Sequence, residues 1–260
     1  MDNFLIQTYG RLVFLVWFYM KAWFLFSLLV KRNDVADIAW GLGFLLVTLA
    51  AYLPQGIFLD RGLLVALLVT IWASRLSLHI YLRNRGRAED YRYQAWRKEW
   101  GRAFYIRSYF QVFVLQGFLL LIVSSPAVVA SVYRGTNWGI LDLLGLFVWT
   151  VGFLFESVGD WQLARFIKNL ENKERLIQQG LWQYTRHPNY FGEVAQWWGI
   201  WLIALSTPYG WLSIIGPFAI TILILKVSGI PLLEKKMAEN PEFEAYKKKT
   251  SIFIPLLPRS

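Results

Sequence analysis

Cysteine is absent from all 260 residues, and histidine occurs only twice. Without a thiol there is no disulfide framework, no zinc–cysteine site, no thiol nucleophile and no site for palmitoylation. Charge is scarce as well: Asp, Glu, Lys and Arg make up 17% of the chain, where a soluble domain carries about a quarter. Acidic charge is the scarcer kind, with 17 acidic against 27 basic side chains and a formal net charge of +10. The first ten residues hold no basic group, and the first apolar stretch is too long for a signal peptide. Repeats, low-complexity tracts and long polar linkers are missing, which excludes a disordered chain.

What is present is apolar: 56% of the residues are hydrophobic and 18% aromatic. A bilayer core takes about 20 apolar residues per helix. Seven runs approach that length, Leu12 to Val30, Val35 to Leu53, Leu63 to Leu82, Tyr109 to Ala130, Trp138 to Gly159, Tyr190 to Ser206 and Trp211 to Ile230. The expectation is an all-α integral membrane protein with seven transmembrane helices, residues 1–260 forming one domain. The linkers after spans one, three and five and the tail after span seven hold most of the Lys and Arg. Those after spans two, four and six hold only Arg61 and Arg134. Because cytoplasmic loops carry the basic excess, the N-terminus is expected outside and the C-terminus in the cytoplasm, in a bacterial inner membrane. Many of the 14 Trp and 13 Tyr suit interfacial belts.

The third linker holds more than topology requires. It reads Arg83-Asn-Arg-Gly-Arg87, then Glu89-Asp-Tyr-Arg-Tyr93, then Arg97-Lys-Glu-Trp-Gly-Arg102, and Lys98 is its single lysine. The guanidinium fork binds phosphate through paired hydrogen bonds, whereas lysine serves topology equally well. Contact with anionic lipid headgroups is the plainer account of such a segment. In the fifth linker, Asp160, Arg165 and Lys168 follow the span. Gly180-Leu-Trp-Gln-Tyr184 then leads through Arg186, His187, Pro188 and Asn189 to Gly192 and Glu193. Pro188 predicts a helix start, which puts Arg186 and His187 at a positive helix end suited to an anion. Gly41-Leu-Gly43 is no dinucleotide fingerprint, so any nucleotide is held by the spans and their loops. Nothing in the pattern points to a nucleic acid or an obligate protein partner.

Ionisable groups within spans are costly and therefore functional candidates. They are Asp37, Arg75 and His79, Glu156 and Asp160, and Glu193. The plain alternative for Asp37 is an interfacial pair with Arg32 or Arg75.

In Asn84-Arg-Gly-Arg87, in Asp160 with Arg165 and Lys168, and in Gly180 to Glu193, the sequence resembles the steroid 5α-reductase family. Its bacterial membrane members are the nearer match. The resemblance covers about residues 35 to 255, including the ending Ile252-Phe-Ile-Pro255. It implies seven helices, a cytosol-facing NADPH pocket and a lipid-accessible cavity for a 3-oxo-Δ4-steroid or an isoprenoid-like lipid. It also implies hydride delivery to the β-carbon, with the carbonyl polarised by an acid–hydroxyl pair. The family's cofactor contacts fall on Asn84, Arg87, Asp160, Tyr184 and Asn189, with Arg165 or Lys168 as a basic contact. The Arg186-His187-Pro188 step departs from the animal reductases. It looks like sterol C14-reductases and isoprenylcysteine carboxyl methyltransferases. The family's catalytic tyrosine in span three has no equivalent, since the position reads Trp72-Ala-Ser-Arg75, and Asp37 stands best for the family's glutamate.

Enone reduction needs hydride at one carbon and stabilisation of charge on the carbonyl oxygen. A carboxyl group in a dry apolar site holds its proton, which makes Asp37 the first catalytic candidate and Glu193 the second. Arg75, His79 and Tyr81 are open alternatives for the missing hydroxyl. The competing readings are an S-adenosylmethionine-dependent methyltransferase of a lipidic acceptor and a non-catalytic seven-span transporter or receptor.

Overall fold

The computed structural model describes residues 3–133, 135, 137–172 and 175–259, so Arg134 lies outside the described residues. Among them there is no strand; the one extended pairing is an isolated bridge between Thr185 and Ser251. Six stretches of the described residues are long and apolar enough to cross a membrane. They are Asn3–Val30, Val35–Gln55, Arg61–Asn84, Tyr91–Val123, Ile140–Lys168 and Gly210–Met237. The run expected from Tyr190 to Ser206 folds as a helix of 17 residues, Pro188–Ala204, and is not among the six.

The helices outrun several of the expected boundaries. Helix α1 (Asn3–Val30) begins well before Leu12, and α2 (Val35–Tyr52) follows a tight break at Lys31, whose φ is +56°. Helix α3 (Arg61–Asn84) is capped by Asp60, whose Oδ1 accepts the Leu63 amide at 3.0 Å. That bond satisfies one of the orphan N–H groups of the first turn. The third linker, left open by hydropathy, is itself helical as α4 (Tyr91–Trp100) and α5 (Phe104–Ser108). A π-helical turn at Tyr109–Val114 joins α5 to α6 (Leu115–Val123), and α7 (Ser125–Val132) is buried along its whole length. Helix α8 (Ile140–Lys168) runs past Gly159, which puts Asp160, Arg165 and Lys168 on helix rather than on loop. Pro188 opens α9 (Pro188–Ala204), as its fixed φ favours. Then come α10 (Ile215–Ile222), a π-helical turn at Leu223–Val227, α11 (Ile230–Met237) and α12 (Phe243–Lys249).

These elements form two units. The first comprises Met1–Trp138 with Ala204–Gly216, the second Gly139–Ile203 with Pro217–Ser260. In the first, α2 lies close along α3. A side chain at Gly41 would meet the Ala73 carbonyl at 3.3 Å, and Phe44 meets Trp72 edge-on at 5.4 Å. Helix α1 buries one narrow stripe, Leu5, Leu12, Val16 and Met20, and exposes Phe14, Phe18 and Leu29. In a bilayer such exposure is ordinary, because lipid replaces protein as the apolar partner.

In the second unit, α8 and α9 run antiparallel with almost no side chain between them. Gly145, Gly152 and Gly159 recur every seven residues on α8, and Gly192 and Gly199 do so on α9. A Cβ at Gly145 would lie 2.6 Å from the Gly199 carbonyl oxygen, and one at Gly152 2.7 Å from that of Gly192. The backbones therefore touch, the small-residue contact by which helices associate in lipid. Between the glycines, Gln196 Nε2 donates to Glu156 Oε2 at 2.5 Å and to the Gly192 carbonyl at 3.2 Å, with Gln196 and Glu156 both buried.

Candidate functional site

In the first unit, the expected contacts Asn84 and Arg87 fall where the end of α3 meets the start of α2. Asp34, 2% exposed, gathers this junction. It accepts from Arg32 at 2.6 and 3.0 Å, from Asn84 Nδ2 at 3.4 Å and from the Asp90 amide at 3.2 Å. Arg32 also donates to the Arg87 carbonyl at 2.8 Å, and Arg83 Nε donates to Asn84 Oδ1 at 3.1 Å. The Asn84 side chain thus ties the loop together. Gly86 turns the chain with φ +72°, a left-handed conformation that favours glycine, and the side chains of Arg83, Arg85 and Arg87 are exposed around it.

Asp37 lies in the first turn of α2, where a negative charge suits the helix dipole. Of the two arginines expected to pair with it, Arg32 and Arg75, the first is committed to Asp34; Arg92 pairs with Asp37, Nη2 to Oδ2 at 2.8 Å. The Tyr93 hydroxyl donates to Asp37 Oδ1, also at 2.8 Å. Asp90 sets this up by capping α4, accepting the Arg92 amide at 3.0 Å and its Nε at 2.9 Å. Burial works against the charge of Asp90, but the Arg92 hydrogen bonds and charge prevail and hold its carboxyl below the usual range. The hydroxyl that meets Asp37 thus comes from α4, outside span three, where Arg75, His79 and Tyr81 lie. The signal was legible, since Asp90-Tyr-Arg-Tyr93 is a helix cap followed by two polar aromatics.

In the second unit, Asp160 Oδ1 accepts from Asn189 Nδ2 at 3.1 Å, joining two of the expected cofactor contacts across the α8–α9 seam. Glu193 is half-buried one turn further along α9. Arg165 and Lys168 are exposed on the last turns of α8, and Arg165 lines a cavity of about 420 Å³. Arg186 and His187 face inward, 4% and 1% exposed. Arg186 Nε meets Glu234 Oε1 at 2.7 Å and its Nη1 donates to the Thr250 carbonyl at 2.6 Å; His187 Nε2 lies 3.2 Å from the same Glu234 oxygen. The main chain of this segment is bound to residues 251–256. The Arg186 amide donates to the Ser251 carbonyl at 2.9 Å and the Leu256 amide to the Tyr184 carbonyl at 3.0 Å. An anion at Arg186 and His187 would compete with Glu234.

Burial lowers the pKa of His187 from 6.5; Glu234 pulls it up, Arg186 pushes it down, and the net shift is downward. The folded protein therefore takes up this proton less readily than the unfolded chain. Stability from this residue is complete above about pH 6.5 and falls as the pH drops below it. Melting temperatures measured from pH 7.5 to 5 should decline more steeply for the parent than for His187→Gln; parallel curves would remove His187 as the cause.

Glu193 belongs to the second unit and Asp37 with Tyr93 to the first. Among the described residues no group of three His, Asp or Glu could hold a metal ion.

The bovine protein 3-oxo-5-alpha-steroid 4-dehydrogenase 1 is 30% identical to this chain over 115 residues, 44% of this chain and 42% of that protein. The chain thus aligns with less than half of the bovine enzyme. The fission yeast (Schizosaccharomyces pombe) protein named Uncharacterized protein C594.04c is 25% identical over 267 residues, 89% of this chain and 75% of its own length. No solved structure matches. Residues 23–250 match the family described as protein of unknown function, DUF1295, and the chain belongs to that family.

Proposed function

We propose that the protein is an NADPH-dependent reductase of a conjugated enone in a membrane-soluble lipid, a 3-oxo-Δ4-steroid or an isoprenoid-like compound. The partial similarity to the bovine dehydrogenase supports an oxidoreductase. The observation that carries the chemistry is the Tyr93 hydroxyl held 2.8 Å from Asp37. In this reading α9 crosses the membrane as a short seventh span, the N-terminus is outside and the C-terminus and the basic loops are cytoplasmic.

NADPH would supply the hydride. Fit to a phosphate-rich nucleotide rests on the exposed guanidinium groups of Arg83, Arg85 and Arg87 around the Gly86 turn of the first unit. Asn84, Asp160 and Asn189 serve this reading as positioning residues. Arg186 and His187 suit it less directly, because Glu234 already meets them. At the substrate, the Tyr93 hydroxyl would turn its single proton from Asp37 Oδ1 to the carbonyl oxygen as charge develops there. Arg92 makes Asp37 the anionic member of an ion pair, so Asp37 orients the hydroxyl and the tyrosine is the donor.

The test is incubation of purified protein with NADPH and a 3-oxo-Δ4-steroid. Loss of dihydronicotinamide absorbance together with a product two hydrogens heavier supports the reading. Methyl transfer from S-adenosylmethionine, with no use of NADPH, overturns it. If Arg87 reads the 2′-phosphate, Arg87→Ala should weaken NADPH binding about tenfold or more while NADH binding stays near the parent value. Equal losses for both would place Arg87 on the shared pyrophosphate instead.

A further inference from the structure

At the end of α2 away from residues 31–34, the chain passes into a single 3₁₀ turn, Leu53–Gln55. A cavity of about 270 Å³ lies there between α1 and α2, wholly within the first unit. Leu12, Leu15 and Ala50 make its apolar side, and Arg11 and Gln55 stand in its wall. The other polar residue lining it, Thr8, is committed, since its hydroxyl donates to the Phe4 carbonyl at 3.0 Å. Arg11 and Gln55 are not: among the described residues neither side chain has a hydrogen-bond or ion-pair partner.

Depth in the membrane gives this pair a meaning. Helices α1 and α2 both leave from residues 31–34. Arg11 lies about 28 Å along α1 from Val30, and Gln55 lies about 30 Å from Val35. The hydrocarbon core is about 30 Å thick. With the cytoplasmic ends at one interface, the guanidinium and the carboxamide therefore both reach the other, at the level of lipid phosphate and glycerol. The next residues of the chain, Ile57, Phe58 and Leu59, are all exposed, as suits a loop that lipid covers. In the orientation proposed above this is the outer face, where basic residues are scarce. The linkers there hold Arg61, 5% exposed, and Arg134. The charge rule that orders the cytoplasmic loops does not account for an arginine in such a place.

A phosphodiester does account for it. The guanidinium fork accepts two phosphate oxygens, and the Gln55 NH₂ is a donor for a glycerol ester carbonyl. Leu12, Leu15 and Ala50 then receive the first methylenes of an acyl chain. A choline headgroup would bring a second cation up to Arg11, whereas an uncharged headgroup brings none. We propose that this cavity binds one phospholipid of net negative charge, its phosphate on Arg11 and its glycerol on Gln55. The proposal goes beyond the reductase reading and takes from it only the orientation of the chain.

The test uses the full chain in phosphatidylcholine vesicles that carry a trace of phosphatidylglycerol with a diazirine on its acyl chain. After irradiation, peptide mass spectrometry compares labelling at residues 12–15 and at Ala50 with labelling at Phe147, an exposed residue of α8. The cavity should be labelled in excess of Phe147, and unlabelled phosphatidylglycerol should remove the excess. Arg11→Gln should lower it about tenfold, the scale of a lost charge-assisted hydrogen bond, and Gln55→Ala about threefold. Ala50→Phe, which fills the apolar side and leaves both polar groups in place, should abolish it. Three results would each overturn the proposal: an excess unchanged in Arg11→Gln, an equal excess from a phosphatidylcholine tracer, or displacement by a 3-oxo-Δ4-steroid but not by phosphatidylglycerol. Turnover with NADPH enters none of these readings, so the reductase reading can fail while the lipid site stands.

Discussion

Replacing Tyr93 by phenylalanine should lower kcat for enone reduction by about two to three orders of magnitude. NADPH affinity should stay close to that of the parent. The substitution removes one oxygen and keeps the ring, which packs edge-on against Trp96 at 5.3 Å and is almost fully buried. The helix cap at Asp90 and the Arg92–Asp37 ion pair are left in place, so a fall in turnover would report the lost donor rather than a displaced α4. Asp37→Asn should show a smaller fall, because an amide oxygen still accepts from Tyr93 while the charge that fixes Arg92 is gone. A kcat for Tyr93→Phe equal to the parent would remove the hydroxyl from the chemistry.

The largest structural effect is expected at Gly192. A Cβ there would lie 2.5 Å from the Glu156 amide nitrogen and closer still to the Gly152 carbonyl oxygen, and both are backbone atoms of a long helix. Neither can rotate away, as a side chain would. Gly192→Val should therefore cost about 3 kcal/mol or more, the upper end of overpacking. Gly10, where nothing lies within 4 Å, is the matched control, and Gly10→Val should melt close to the parent. Thermal unfolding in detergent compares the two. If Gly192→Val melted with the control, the helices would not be in backbone contact.

How much of this could be read beforehand depends on the physical signal each feature leaves. Long apolar runs announced α1, α2, α3 and α8, because burial in lipid demands twenty such residues in a row. The charge of α4 hid it from a hydropathy reading. That helix is set by a cap at Asp90 and by ion pairs, which leave no apolar period. Gly145, Gly152 and Gly159 stood in plain view at a spacing of seven. That stripe shows a face meant for close approach without showing which helix approaches, and Gly192 and Gly199 supply the answer only once α9 lies alongside. The charged candidates divide in the same way. Arg87 and Arg165 are exposed. Arg186 and His187 drew attention by their place before Pro188, but nothing local told that Glu234 would meet them from α11. Tyr93 was visible in its motif, but Asp37, which its hydroxyl meets, lies 56 positions away, where no local pattern reaches.

The ties between residues 184–187 and residues 250–256 bear on the order in which the molecule is made. Thr185 Oγ1 donates to the Phe253 carbonyl across 68 positions, and Arg186 to the Thr250 carbonyl across 64. Closing so long a loop is slow relative to pairing neighbouring helices. On a ribosome, α8 and α9 can meet through their glycines while the rest is still being synthesised. His187 and Arg186 must then wait, cationic donor beside imidazole, until Glu234 and the following segment arrive. Anything that delays or removes the segment from Glu234 to Leu256 leaves a buried arginine without its carboxylate.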